Sequence, residues 1–388
     1  MNKIITHRLN GFIIIFNLLW ILGITVPDRL TAHPQFATQR AVLCGQCHVN
    51  AQGGGLRNDY GADYYSKTVL PMKKWQKFGD SDFTATVNDY IRYGADLRMQ
   101  YYYYADQQTS QNAFFPMQAD LYLGVQPFER FQLYLEQSLF NTVASADVWA
   151  QYSLPDDKGY LRFGQFVPAY GLRMADHTSF IRGGNVGGLQ LAQNKAGIAP
   201  EVQGLQWKPS NNTVGIEGAV KLKGVRVTGS VGKPKTGREY SFTLNAAKAF
   251  WAGDYNLLMG ANYFNGDYLN RGWRYAYSGL YLGINRGPFT FLGEADITSD
   301  YTERGATGYA TMAMLAYQVT QGFYLDLKHD FYDADVQFTG DSMTRYTLGL
   351  DLFPLSYIEL LPQYRLLTLS TDKNYARSEV IIQGHFWF

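Results

Sequence analysis

Cysteine is nearly absent: the 388 residues include two, Cys44 and Cys47, so no disulfide framework holds this chain together. An excess of charge of one sign is lacking as well. Lys and Arg number 34 against 33 Asp and Glu, which removes the electrostatic footprint of a nucleic-acid-binding protein. Beyond residue 26 no stretch approaches the roughly 20 consecutive apolar residues of a helical membrane span, so any later insertion is by strands. No hydrolytic or transferase constellation stands out, and no catalytic residue is assigned. Scattered Ser, His and Asp on strands are what a polar channel interior needs in any case.

What is abundant is aromatic, with 30 Tyr and 24 Phe. At the start, Lys3 and Arg8 precede an apolar core at residues 11–26, and the small residues Thr31 and Ala32 follow. That is the layout of a secretory signal peptide spanning residues 1–32, cleaved on export; a retained anchor is the alternative.

Next comes Cys44-Gly45-Gln46-Cys47-His48, the spacing of covalent c-type haem attachment. Two thiols separated by two residues reach the two vinyl groups of one porphyrin, and the adjacent imidazole of His48 turns back as the proximal iron ligand. Three other uses compete. A thioredoxin-like pair wants a βαβ context, which is missing. A zinc site needs two more ligands, for which only His33, Asp59 and Asp63 offer themselves, and a local disulfide leaves His48 unexplained. One haem c per chain is therefore expected on residues 33–81. The following glycines, Gly53, Gly54 and Gly55, let backbone pass close to a flat macrocycle or simply form a loop. For the sixth iron position Met72 is the preferred candidate, giving a His/Met site of raised potential; His33 is the alternative, giving bis-His. An open position, or a ligand from the barrel interior such as His177 or His329, completes the options.

Residues 82–388 switch to period-two alternation in segments of about ten residues, the pattern of strands with one face in lipid and one in water. Phe323, Leu325, Leu327 and Phe331 alternate with Asp326, Lys328 and Asp330; Tyr346, Leu348, Leu350 and Leu352 alternate with Thr347, Gly349 and Asp351. Phe131, Leu133 and Leu135, and Phe289, Phe291, Ala295 and Ile297, repeat it. Tyr101 to Tyr104 and Phe386-Trp387-Phe388 suit the aromatic girdles of a membrane barrel. The terminal strand sets Val380, Ile382, Phe386 and Phe388 against Glu379, Gln383, His385 and Trp387. Counting segments gives 16 or 17, and because single-chain bacterial barrels keep an even number, about 16 strands are expected in an all-β, transmembrane antiparallel barrel. Turns at Asp156 to Gly159, Asn285 to Gly287 and Gln321-Gly322 mark one rim, with longer stretches at 298–307 and 333–343 on the other. Residues 167–200, with Arg173, His177, Arg182, Gly183, Gly184, Gly187 and Gly188, are the most irregular part. A surface loop is the commoner fate of such a stretch; folding into the lumen, or onto the haem segment, is the alternative.

With Cys44, Cys47 and His48 set ahead of a barrel ending in Phe388, the chain resembles the fused monohaem cytochrome-porin proteins of the bacterial outer membrane, known in iron-oxidising bacteria. The residues 161–168 also look like a strand of phosphate-selective porins. The resemblance implies location in the outer membrane, contact with its lipid, and electron movement between an extracellular donor or acceptor, Fe(II) among the donors, and a periplasmic cytochrome or other carrier. Two other uses of the same parts are a solute porin whose haem serves sensing or docking, and a sheath for a separate cytochrome.

Overall fold

The computed structural model describes residues 33–76, 83–107, 109–139, 147–174, 176, 178–184, 204–205, 212–235, 237, 239–268, 270–370 and 375–388. A short strand β1 (Thr86–Asn88) leads into β2 (Ile91–Ala105), β3 (Ser110–Phe128), β4 (Phe131–Ser138), β5 (Asp147–Ser153) and β6 (Gly159–Phe166). After the connection that follows β6, β7 (Thr213–Leu222), β8 (Val225–Pro234), β9 (Ser241–Ala252), β10 (Tyr255–Gly266) and β11 (Tyr275–Arg286) continue the wall. It is completed by β12 (Phe289–Ser299), β13 (Thr307–Thr320), β14 (Phe323–Asp333), β15 (Ser342–Leu352), β16 (Ile358–Leu369) and β17 (Ala376–Trp387).

Each strand pairs antiparallel with the next, and β17 closes on β2 through the register Ser378 opposite Ala105 to Trp387 opposite Asp96. The closed ring is therefore β2 to β17, 16 strands, and β1 is an extra strip on β2. Closure leaves no unpaired edge, which strands in lipid require because nothing there can satisfy a free N–H or C=O. Phe388 locks the seam: its N–H donates to the Ala95 carbonyl at 3.1 Å.

The side chains are arranged inside out relative to a water-soluble sheet protein. Leu280 is 68% exposed and Ile297 59%, while Arg345 and Glu359 are fully enclosed. Apolar residues thus form the outer surface and charged ones the interior, the arrangement that lipid outside and a polar lumen inside select. On β14, Asp326, Lys328 and Asp330 are enclosed and Leu327 is exposed; on β17, Glu379, Gln383 and His385 are enclosed and Phe386 is exposed. Alternation also divides the tyrosine run. Tyr102 faces inward and donates to Glu379 Oε1 at 3.1 Å, so the four tyrosines do not all join an outer girdle. Trp387 likewise points into the lumen, and its indole N–H donates to Ser66 Oγ at 3.1 Å. Short connections at Asp156 to Lys158, Gly287 and Gln321-Gly322 lie on one rim, and the longer segments 300–306 and 334–341 on the other, as the sequence predicts. Among the described residues no helix is long and apolar enough to cross a membrane.

Candidate cofactor site

The barrel is filled by two insertions. The first is the segment 33–76, which enters past the short-turn rim. Helix α1 (Pro34–Arg40) begins with proline, whose missing N–H costs nothing in a first turn, and stops at Ala41 in the left-handed region. It lies on β10 to β12: Gln39 Nε2 donates to Thr290 Oγ1 at 3.2 Å, and Asn256 Nδ2 donates to the Gln39 carbonyl at 2.6 Å. A 3-10 turn, Cys44–Gln46, follows. His48 then bridges antiparallel to Arg57, with the Val49 N–H donating to the Leu56 carbonyl at 3.0 Å. Between them Gly53, Gly54 and Gly55 all have positive φ, at 87°, 75° and 61°. A Cβ on Gly55 would collide with the Tyr134 hydroxyl, so glycine at this position lets the segment sit against the barrel wall. Leu56, fully buried, fills an aromatic socket of Tyr122, Tyr134, Trp149 and Phe166. The π-helix Tyr60–Val69 returns alongside the cysteine turn, and Gly61 sits against the Cys47 backbone where a side chain would collide.

These turns bring Cys44, Cys47 and His48 onto one cavity. The wall contributes Arg98 from β2, Phe353, Glu359 from β16, and His385 and Trp387 from β17; the insertion adds His33, Leu43, Arg57 and Tyr65. The two thiols are free, which excludes the local disulfide in this structure. Asp59 pairs with Arg92, and Asp63 lies 3.3 Å from Lys67 Nζ, so neither carboxylate lines the cavity as a zinc ligand would.

Loss of water drives the electrostatics here. It pushes the Cys47 thiol up to about 12, with the neighbouring Cys44 adding to the effect, and raises Cys44 as well. It pushes His48 down to about 3, reinforced by the Arg57 guanidinium, so the ring is held as neutral imidazole, the form that ligates a metal. Thiols this reluctant to ionise do not suit thiolate redox chemistry. One feature fits a large group carrying acidic substituents: Arg98 is 2% exposed, yet its Nε and Nη1 make no hydrogen bond. Buried polar atoms of this kind are rare unless something absent from the protein itself completes them.

The candidates for the sixth iron position separate. His33 lines the cavity, with Nε2 2.9 Å from Glu359 Oε1. Met72 does not line it; its N–H donates to the Phe353 carbonyl at 2.9 Å. His177 lies outside the described residues. His329 is excluded as an interior ligand: on β14 it shares the outward face with Leu327 and Phe331 and packs on Tyr346, at 5.1 Å between ring centres. Arg98, Glu359 and His385 were not singled out from the sequence. Their only signal was a place on inward-facing positions, shared with every other polar wall residue.

The second insertion follows β6. The described residues of 167–184 fold into the lumen and not over the surface, so the commoner fate of such a loop is not realised here. Tyr170 Oη donates to Asp296 Oδ1 at 2.6 Å, Leu172 N–H to Glu294 Oε2 at 2.7 Å, and Arg345 Nη1 to the Thr178 carbonyl at 2.7 Å. Asp176 meets Lys328 and lies 2.9 Å from Arg365 Nη2; these two cations hold its carboxyl well below the usual range against the opposing pull of burial, which is the largest influence. A second, small cavity separates this loop from the first insertion and is lined by Cys44, Arg173 and Arg226.

No protein-family model and no curated protein sequence matches this chain. Solved structures do. An anion-selective porin from Comamonas acidovorans superposes with a TM-score of 0.52 at 11% identity, over 77% of this chain and 99% of that one. OprB of Pseudomonas putida gives 0.56 at 6% identity over 77% and 94%, and the outer membrane channel DcaP of Acinetobacter baumannii 0.53 at 10% over 77% and 97%. At such identities the likeness is one of fold: the wall is a porin-like β-barrel.

Proposed function

We propose that this chain is an outer-membrane cytochrome-porin that carries one covalent haem c inside its barrel and passes electrons across the membrane. The observation that carries the reading is that Cys44, Cys47 and His48, adjacent in sequence, all line one cavity within the lumen. Cys44 and Cys47 would hold the group by thioether bonds and His48 would ligate its iron, while Arg98 presents its guanidinium group to acidic substituents. When bound, the haem supplies a one-electron ferric/ferrous couple.

What this chain's own residues do follows from their places. The wall excludes lipid, the aromatic socket around Leu56 fixes the depth of the segment, and the two insertions restrict the water-filled path. Short-turn rims of such barrels face the periplasm, so the site sits toward that side, within reach of a periplasmic carrier. The lumen loop lies toward the outer face. Occupation of the lumen by two insertions favours electron transfer over free solute passage.

The test is a visible spectrum of detergent-purified protein made in cells that mature c-type cytochromes. A covalent haem spectrum that becomes reduced on adding Fe(II) supports the reading with Fe(II) as donor. A haem that stays oxidised removes Fe(II), and a colourless protein removes the cytochrome assignment.

A further inference from the structure

Beside the cysteine turn the lumen holds more negative charge than its cations balance. Asp326 on β14, Asp351 on β15 and Glu359 on β16 are 9%, 1% and 0% exposed, and their charges act on one another. Of the permanent cations nearby, Lys328 pairs with Asp176 and Asp330 and also acts on Asp326, and Arg57 pairs with Asp96; Asp351 and Glu359 have as ion-pair partners only the imidazoles of His33 and His385, which carry charge only when protonated. Arg98 faces both Asp96 and Glu359. Buried carboxylates without a balancing charge are costly.

The oxygen atoms are divided in a consistent way. Asp351 Oδ2 accepts from Gln35 Nε2 at 3.1 Å, while Oδ1 makes no hydrogen bond. Glu359 Oε2 meets His385 Nδ1 at 2.7 Å, while Oε1 makes none. His33 Nε2 stands 2.9 Å from that Oε1 and is not aligned for a hydrogen bond with it, as two atoms sharing a third partner would be. One ligand atom from each of His33, Asp351 and Glu359 lies within 4.8 Å of the others. Each carboxylate therefore has one oxygen steered by a neighbour and one left over, the pattern of metal ligands held by an outer sphere.

We propose that His33, Asp351 and Glu359 bind one divalent first-row transition cation, with Asp326 adding negative charge beside it and Gln35 and His385 orienting the ligands. One imidazole with carboxylates suits Mn(II), Fe(II) or Zn(II); calcium would want six or more oxygens. The cation would neutralise the acidic cluster and pin the start of the N-terminal segment to β15 and β16. The inference does not rest on the haem, and it commits His33 to this cation and not to haem iron.

The test titrates Mn(II), which no haem supplies, into chelator-treated full-length protein in detergent, reading the free Mn(II) signal by electron paramagnetic resonance. One Mn(II) bound per chain is expected, weakened about tenfold or more by H33A, D351N and E359Q. The haem spectrum of H33A should be unshifted. Because His33 lies outside the barrel strands, H33A tests the site even if a wall variant fails to fold, which heat-dependent gel mobility reports. Absence of binding in the parent protein, binding unchanged in H33A, or a shifted haem spectrum in H33A overturns the proposal. A coloured protein that binds no Mn(II) overturns it and leaves the cytochrome reading standing; a colourless protein that binds Mn(II) does the reverse.

Discussion

The barrel wall and the segment it encloses are held by different forces. The wall is a repetitive ladder of backbone hydrogen bonds, closed from β17 to β2, whose side chains need only alternate. The segment 33–76 has one short α-helix, a 3-10 turn and a π-helix, and is held by individual side-chain contacts to the wall: Arg57 to Asp96, Gln52 to Tyr160, Leu56 to its aromatic socket. A wall built this way tolerates loss of what it encloses, whereas the enclosed segment has no core of its own and depends on the wall.

The sharpest way to separate the two is to remove the thiols. The double variant C44A/C47A should lose covalent haem entirely while keeping a membrane-inserted, heat-modifiable barrel; loss of the barrel as well would contradict the independence of the wall. Next in size is a charge on the lipid face. Leu280→Lys, near the middle of β11, should destabilise the barrel by about 2–4 kcal/mol in urea unfolding from vesicles, whereas the inward Thr347→Ala should cost about 1 kcal/mol or less.

Within the enclosed segment the effects should be smaller and local. Gly55→Ala places a side chain at φ 61° against the Tyr134 hydroxyl. It should loosen the segment by about 1–3 kcal/mol, seen as protease cleavage between residues 50 and 60 with the barrel intact, and Tyr134→Phe should partly restore protection. Arg57→Ala removes the pair with Asp96 at 3.3 Å and the packing of the guanidinium over Trp387. About 1–3 kcal/mol of docking energy should go with it, read by the same cleavage.

The smallest expected effect is a pH dependence of the second insertion. Asp176 has a depressed folded value, so its pairing with Arg365 and Lys328 stabilises the docked loop above the ordinary carboxylate range and is lost as pH falls through that lower value. Single-channel conductance should therefore be constant from neutral pH down to about 4 and change only below it. Asp176→Asn should shift conductance at neutral pH; a step near neutrality in the parent protein would show that another group governs the loop.

What could be read from the sequence tracks the same division. Alternation, turn residues and the terminal aromatic strand carried the barrel, because a strand pinned between lipid and water must show period two. The expected even count of about 16 matches the closed ring of β2 to β17, with β1 a three-residue strip on β2. Where period two was not pressed far enough, the reading failed. His329 was offered as an interior ligand although it sits in register with Leu327 and Phe331. That Cys44, Cys47 and His48 share one site was legible because they are neighbours in the chain. Its surroundings were not: Arg98, Glu359 and His385 lie 50 to 337 positions from His48 in the chain, and only closure of the barrel brings them to it. The lumen loop was illegible for the same reason, since its partners Glu294, Asp296, Arg345 and Arg365 sit on strands far along the chain.

The account stands most directly on the mass of the mature chain. Intact-mass spectrometry of the barrel, purified from outer membranes of cells able to attach haem, should show the polypeptide plus a single haem. A polypeptide of bare mass with both thiols open to alkylation would contradict it.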